Sequence, residues 1–167
     1  MAVENKYVNS DLAAGKVGKA AYVSGAEAYI AVAHATVAAA DDNGSIYRLF
    51  KALAPDLIPV KIEILNDAIT GGTDYDLGFY EPLEGGSGPV IDKDALVDGA
   101  DLSSGNGQGS ELTGLSAVGV EESQQRLWEL AGHTATQKQD AYDIALTANT
   151  VGTAAGDIVV KAWFVQG

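Results

Sequence analysis

The side chains best able to do chemistry in this chain are its acids, its two histidines and its serines. A zinc site needs three or four ligands close together. His34 and His133 lie far apart, and neither sits in a His-x-x-x-His or His-x-His pair. A serine nucleophile needs a base and an acid beside it, and no Gly-x-Ser-x-Gly elbow follows a strand into a helix. The tract Gly105-Asn106-Gly107-Gln108-Gly109 lacks the lysine and the Ser/Thr of a phosphate loop and reads as a surface loop. Asp41-Asp42-Asn43-Gly44 does not follow the Asp-x-Asp-x-Asp-Gly calcium pattern and reads as a turn. A carboxylate pair is the best enzymatic option, since a glycosidase sets two acids across a cleft. Glu63, Asp74, Asp76 and Asp143 fall on predicted strands, on the faces opposite the apolar ones. The alternation therefore predicts solvated outer-face residues. No catalytic residue, cofactor or metal site is expected, and the chain reads as a non-enzyme.

The elements that would position these residues read mainly as strands. Glu27 to Ala40 alternates Tyr29, Ala31, Ala33, Ala35 and Val37 against Ile30, Val32, His34 and Thr36. Its β-branched residues tip an alanine-rich run toward strand. Asn43-Gly44 then supplies a turn. Ser45 to Leu53 is a strand with Ile46, Arg48 and Phe50 on one face. In Leu57 to Leu65, the apolar residues Val60, Ile62 and Ile64 alternate with Lys61 and Glu63. Asp74 to Tyr80 sets Tyr75, Leu77 and Phe79 against Asp74, Asp76 and Gly78. Ala141 to Thr147 sets Tyr142, Ile144 and Leu146 against Asp143 and Ala145. Further strands are predicted at Ala20 to Ser24, within Val90 to Leu102, and at Asp157 to Val165.

One helix is predicted from about Glu121 to Ala131, with acids at its start and Gly132 as its stop. Ser103 to Ser110 reads as a flexible loop. Residues 1–18 read as an arm or irregular lead-in, and 19–167 as one domain. Many short strands with one short helix predict an all-β fold, a β-sandwich or jelly roll.

Composition narrows the partners. Ten basic residues face 23 acidic ones, a net charge of −13 over 167 residues. Such a surface repels nucleic acid and anionic lipid. It fits either simple solubility or a basic partner. There is no cysteine, which removes disulfides and thiolate chemistry. The stretch Met1-Ala2-Val3-Glu4-Asn5-Lys6 does not begin a signal peptide. No run approaches the ~20 apolar residues of a membrane helix. Trp163 shares a predicted face with Val159, Lys161 and Val165, which could be core, subunit contact or sugar platform.

Several blocks carry a resemblance. Gly44-Ser45-Ile46-Tyr47-Arg48-Leu49-Phe50 is followed by Asn66-Asp67-Ala68-Ile69-Thr70-Gly71-Gly72-Thr73-Asp74-Tyr75-Asp76. Leu127-Trp128-Glu129-Leu130-Ala131-Gly132-His133 and Thr150-Val151-Gly152-Thr153-Ala154-Ala155-Gly156-Asp157-Ile158 come later, in order. Together they resemble a family of tailed-phage virion structural proteins. The resemblance implies a capsid decoration, or cement, protein with a jelly-roll body. It implies the major capsid protein as partner, a homo-oligomer with a trimer favoured, and a place on the outer capsid surface of the virion. Its contacts are expected at Tyr7, Val8, Asn9 and Asp11 in the arm and at Trp163 on the body. A carbohydrate- or host-surface-binding module is the alternative, with Tyr75, Phe79 and Trp163 as stacking residues. A tail or baseplate protein is a third reading.

Overall fold

A computed structural model of the chain describes residues 5–7, 19–21, 27–83 and 88–167. The strands, in order, are β1 (Asn5–Tyr7), β2 (Lys19–Ala21), β3 (Glu27–Val37), β4 (Ser45–Leu53), β5 (Leu57–Asn66), β6 (Asp74–Tyr80), β7 (Val90–Ala100), β8 (Leu112–Thr113), β9 (Tyr142–Thr150) and β10 (Gly156–Gln166). They form two sheets. Sheet A runs β1-β4-β9-β6-β7, and sheet B runs β2-β3-β10-β5-β8.

The pairing explains the order. β3 pairs with β10, β4 with β9, β5 with β8 and β6 with β7, all antiparallel. One long hairpin is folded over on itself, so successive strands mostly change sheet. This is jelly-roll topology within an all-β sandwich. β1 adds in parallel to the edge of β4, and β2 adds antiparallel to the start of β3.

The core lies between the sheets. From sheet B, Ala31, Ala33, Ala35, Val37, Ile62, Ile64, Val160 and Phe164 point inward. From sheet A come Leu49, Phe50, Tyr75, Leu77, Phe79, Ile144 and Leu146. Full burial of a Leu, Ile or Phe side chain contributes about 1.5–3 kcal/mol. The alanines of β3 let its backbone approach sheet A closely. Phe50 and Phe164 meet edge-on across the layers, with ring centroids 6.4 Å apart.

Asn43-Gly44 makes the predicted turn. Gly44 sits at φ 88°, a conformation that only glycine adopts without strain. The strand alternation predicted for Glu27 to Ala40 holds from Tyr29 to Val37, where β3 ends.

Three local readings are corrected. In β4 the register slips between Arg48 and Phe50. The bulge turns both Leu49 and Phe50 into the core, so Phe50 does not share a face with Arg48. In β5 the register against β10 slips beside Pro59, which has no N–H for the ladder. Val60 is thereby turned outward and is 51% exposed.

The predicted helix from Glu121 to Ala131 is two separate turns. These are a 3-10 turn at Val120–Glu122 and a helix α1 at Leu127–Leu130. Glu122 accepts the Gly119 N–H at 3.0 Å, and Glu129 accepts the Arg126 N–H at 2.8 Å. Each glutamate caps its own short start, so the run has two beginnings where one was expected.

Candidate functional site

The four carboxylates singled out for chemistry come first. Asp76 and Asp143 are each 1% exposed and Glu63 is 8% exposed. The expectation that they are solvated is therefore corrected for these three, while Asp74 is half-buried. Asp76 and Asp143 do point away from the core, but the outer face of sheet A is itself covered; Glu63 lies on the outer face of sheet B, beside β8.

Gly78 shows how. It stands alone opposite Lys93 to Leu96 of β7, because the β6–β7 register slips between Leu77 and Phe79. A Cβ on Gly78 would lie 2.1 Å from the Asp92 carbonyl oxygen and 2.4 Å from the Lys93 carbonyl carbon. The β7 backbone rides directly over the sheet, and only glycine leaves room for it.

Beneath this cover lies a polar network. Lys93 Nζ donates to Asp76 Oδ2 at 2.7 Å and to Asn149 Oδ1 at 2.9 Å. The Asn149 amide donates to Asp76 at 2.6 Å and to Asp74 at 3.1 Å, and the Gly99 N–H reaches Asp76 Oδ1 at 3.0 Å. Burial alone would raise the Asp76 pKa. Lys93, Asn149 and the Gly99 amide outweigh it and hold the carboxyl below its ordinary value.

Arg48 is fully buried beside this group. It donates to Asp143 Oδ2 at 3.4 Å and to the Glu81 carbonyl at 3.2 Å, and also to the Gly88 carbonyl. Its guanidinium lies 4.3 Å from the Tyr80 ring centroid. Asp143 Oδ1 takes the N–H of Ala52 at 2.8 Å. Ala52 sits at φ 49°, which costs an alanine about 1–2 kcal/mol. Burial raises the Asp143 pKa against the opposing pull of the Ala52 amide and Arg48. Asp143 thus anchors a strained bulge and a buried cation at once. Both acids are engaged with cations and backbone amides of the fold.

The histidines are separated as their spacing predicts. His34 is exposed on β3, 3.4 Å from Asp157. His133 Nδ1 lies 2.7 Å from the Tyr142 hydroxyl. Among the described residues, no group of three His, Asp or Glu side chains could hold a metal ion. Asp41 in the acidic turn is buried and accepts the Tyr47 hydroxyl at 2.7 Å and the Ala38 N–H at 3.0 Å. It organises the turn.

The outer face of sheet B differs. Three registered rows cross β3, β10 and β5: Ile30, Trp163 and Lys61; then Val32, Lys161 and Glu63; then His34, Val159 and Leu65. Ile30 and Val32 are 39% and 40% exposed. Trp163 is half-buried, with Lys61 Nζ 5.1 Å from its ring centroid. Lys61 also pairs with Glu63. This face mixes apolar and charged side chains; it is most open over β3, while Glu63, beside β8, is nearly covered.

Of the predicted contact residues, Trp163 lies on this face. Tyr7 ends β1, whose backbone borders β4 at the edge of sheet A. Val8, Asn9 and Asp11 lie outside the described residues. Tyr75 and Phe79, the other candidate stacking residues, are fully buried. An exposed row of these aromatics for sugar does not form, because both side chains are inward members of β6.

No protein-family model matches the sequence, and no curated protein matches it. Solved structures do match. A chain in the capsid of Ralstonia phage GP4 superposes with a TM-score of 0.53 at 15% identity, over 81% of this chain and 84% of that one. A chain in the capsid asymmetric unit of cyanophage Pam1 gives a TM-score of 0.50 at 10% identity, over 90% of this chain and 92% of that one. At such identities the likeness is one of fold. Each match spans four-fifths or more of both chains.

Proposed function

We propose that this protein is a structural component of a phage virion. Within that class, we read it as a decoration subunit that sits on the outer shell and braces the junctions between shell subunits. The observation that carries this reading is the fold likeness, over four-fifths or more of the chain, to chains in two phage capsids. The chemistry of the site supports it, since the buried acids are tied to cations and backbone amides of the fold.

A subunit that binds an assembled shell stabilises it by mass action. It needs a rigid body and an exposed face. The network on sheet A supplies rigidity, and the outer face of sheet B supplies apolar contact area. Tryptophan is a favoured anchor in such contacts, so Trp163 is assigned to the shell side. We divide the chain into an arm at 1–18, with Tyr7, Val8, Asn9 and Asp11 as its grip, and a body at 19–167. The major capsid protein is the partner.

The test is co-sedimentation with undecorated heads assembled from the shell protein of the same phage. Saturable binding that raises the temperature at which heads burst is the expected result. Binding to tails, or to neither part, would overturn the decoration reading.

A further inference from the structure

We propose that Asn106 is a site of spontaneous deamidation, and that its conversion to aspartate or isoaspartate releases the 103–110 loop from the end of β5. The chain holds two Asn-Gly pairs, Asn43-Gly44 and Asn106-Gly107. In such a pair the glycine nitrogen attacks the asparagine side-chain carbon, because glycine has no side chain to obstruct it and leaves the backbone free to bring the two together. The N–Cγ bond forms and the Cγ–Nδ2 bond breaks. The amide leaves as ammonia with the proton lost by the glycine nitrogen. Water then opens the cyclic imide at either carbonyl, giving aspartate or isoaspartate.

The fold treats the two pairs differently. The Gly44 N–H donates to the Ala148 carbonyl at 2.7 Å, and Asn43 Oδ1 accepts the Val151 N–H at 3.0 Å. Both reacting groups are thereby tied to β9 and the residue that follows it. They cannot close on each other without giving up the hydrogen bond at the start of β4. The reacting groups of Asn106-Gly107 are held more loosely. Among the described residues the Gly107 N–H meets only Ser110 Oγ, at a long 3.3 Å, in an exposed loop. The Asn106 amide donates to Asn66 Oδ1 at 3.1 Å and to the Ser104 carbonyl at 3.3 Å. Those bonds hold the departing nitrogen, not the carbon under attack.

Asn106 clips the loop to β5. Its N–H reaches the Asn66 carbonyl at 2.8 Å, and its carbonyl takes the Asn66 N–H at 3.0 Å. Asn66 Nδ2 holds the Leu102 and Ser104 carbonyls, each at 3.0 Å. Deamidation replaces a donating amide with a carboxylate, which only accepts. That carboxylate faces Asn66 Oδ1 and the Ser104 carbonyl, both acceptors, so an attraction becomes a repulsion. Asp67 and Asp157 line the same cavity as Asn106, and their charges oppose a further negative one. Isoaspartate also lengthens the backbone by one carbon and spoils the spacing that the bridge to Asn66 needs. Leu65 and Val159, on the outer face of sheet B, line this cavity too. An aged molecule therefore presents a changed border on that face. The inference does not depend on the decoration role, so either can fail alone.

The experiment incubates the full chain at mildly alkaline pH, folded and in urea, and maps isoaspartate and aspartate by peptide mass spectrometry. In urea both Asn-Gly pairs react alike. In the folded protein Asn106 reacts faster than Asn43 by about tenfold or more, since the second pair must first open locally. Gly107→Ala slows the reaction at Asn106 by about tenfold or more, because the methyl group obstructs the attacking nitrogen. Among the described residues that methyl meets no atom within 4 Å, and the φ of Gly107 lies outside the left-handed region, so the variant keeps the fold. Asn106→Asp, a mimic of one product, speeds hydrogen exchange at Asn66 and across residues 106–110. If either variant does not fold, the wild type decides, with exchange compared before and after ageing. Equal rates at Asn43 and Asn106 in the folded protein would overturn the proposal. So would an Asn106 that stays intact while the unfolded chain converts. Exchange unchanged in Asn106→Asp and in aged protein would overturn release of the loop.

Discussion

The two sheets use their outer faces in opposite ways. Sheet A reads from sequence as apolar inside and wet outside, yet its outer face is buried under β7 and the residues around Glu81 and Gly88. Its polar side chains are consumed by one another. Sheet B carries apolar side chains outward, and Ile30 and Val32 on that outer face stand exposed. A polar outward residue therefore does not imply solvent, and an apolar outward residue does not imply core. What decides is whether another part of the chain crosses the face. Here the crossing depends on Gly78, on a slip in the β6–β7 ladder and on Arg48 gripping two backbone carbonyls.

If this contrast is right, substitutions on sheet A damage the fold, and those on sheet B damage association. The largest effect is expected from Asp143→Ala. It removes the Asp143 carboxylate from buried Arg48, and breaking such a buried pair costs about 3–5 kcal/mol. It also frees the strained Ala52 bulge. Urea unfolding reads the loss directly. Gly78→Ala comes next, at about 1–3 kcal/mol of overpacking, because the β7 backbone must lift away. Exchange of the β7 amides would rise with it.

Lys93→Met costs less, about 1 kcal/mol or below, because solvent screens a half-exposed ammonium. It has a pH signature. The Asp76 pKa is depressed in the folded protein, so its stabilisation is present above the ordinary value of 3.8 and is lost as pH falls through the lower folded value. Without Lys93 the depression shrinks, so the acid limb of the stability profile flattens. An acid limb unchanged from wild type would show that Lys93 does not hold Asp76. The smallest effect on folding belongs to Trp163→Ser, about 1 kcal/mol or less, with its main consequence in binding.

Much of the fold was legible because the inner face of a strand follows simple alternation. β3, β6 and β9 show this, as does the Asn43-Gly44 turn. Bulges were not legible. Nothing in the order Arg48-Leu49-Phe50 announces that both apolar residues turn inward. Pro59 was a usable signal for the bulge that exposes Val60, since proline cannot serve a continuous ladder. The two-turn break in the predicted helix could have been seen in Glu122 and Glu129, each three residues after a capping position.

The candidate face was half legible. Trp163 and its companions on β10 share a side by alternation. The neighbours that complete the face, Ile30 and Val32, come from a strand distant in sequence. Only the β3–β10 register brings them together. The buried state of Asp76 and Asp143 was hidden for the same reason, since their partners come from β7 and β4 and not from their own strands.

The central claim is that this molecule acts by binding a shell through the open face of sheet B. The most direct measurement is co-sedimentation of wild-type protein and Trp163→Ser with undecorated heads, with unfolding curves for both. The account predicts that the wild type binds saturably and that the variant folds but loses binding at least tenfold. A folded variant that binds heads as well as wild type would contradict it.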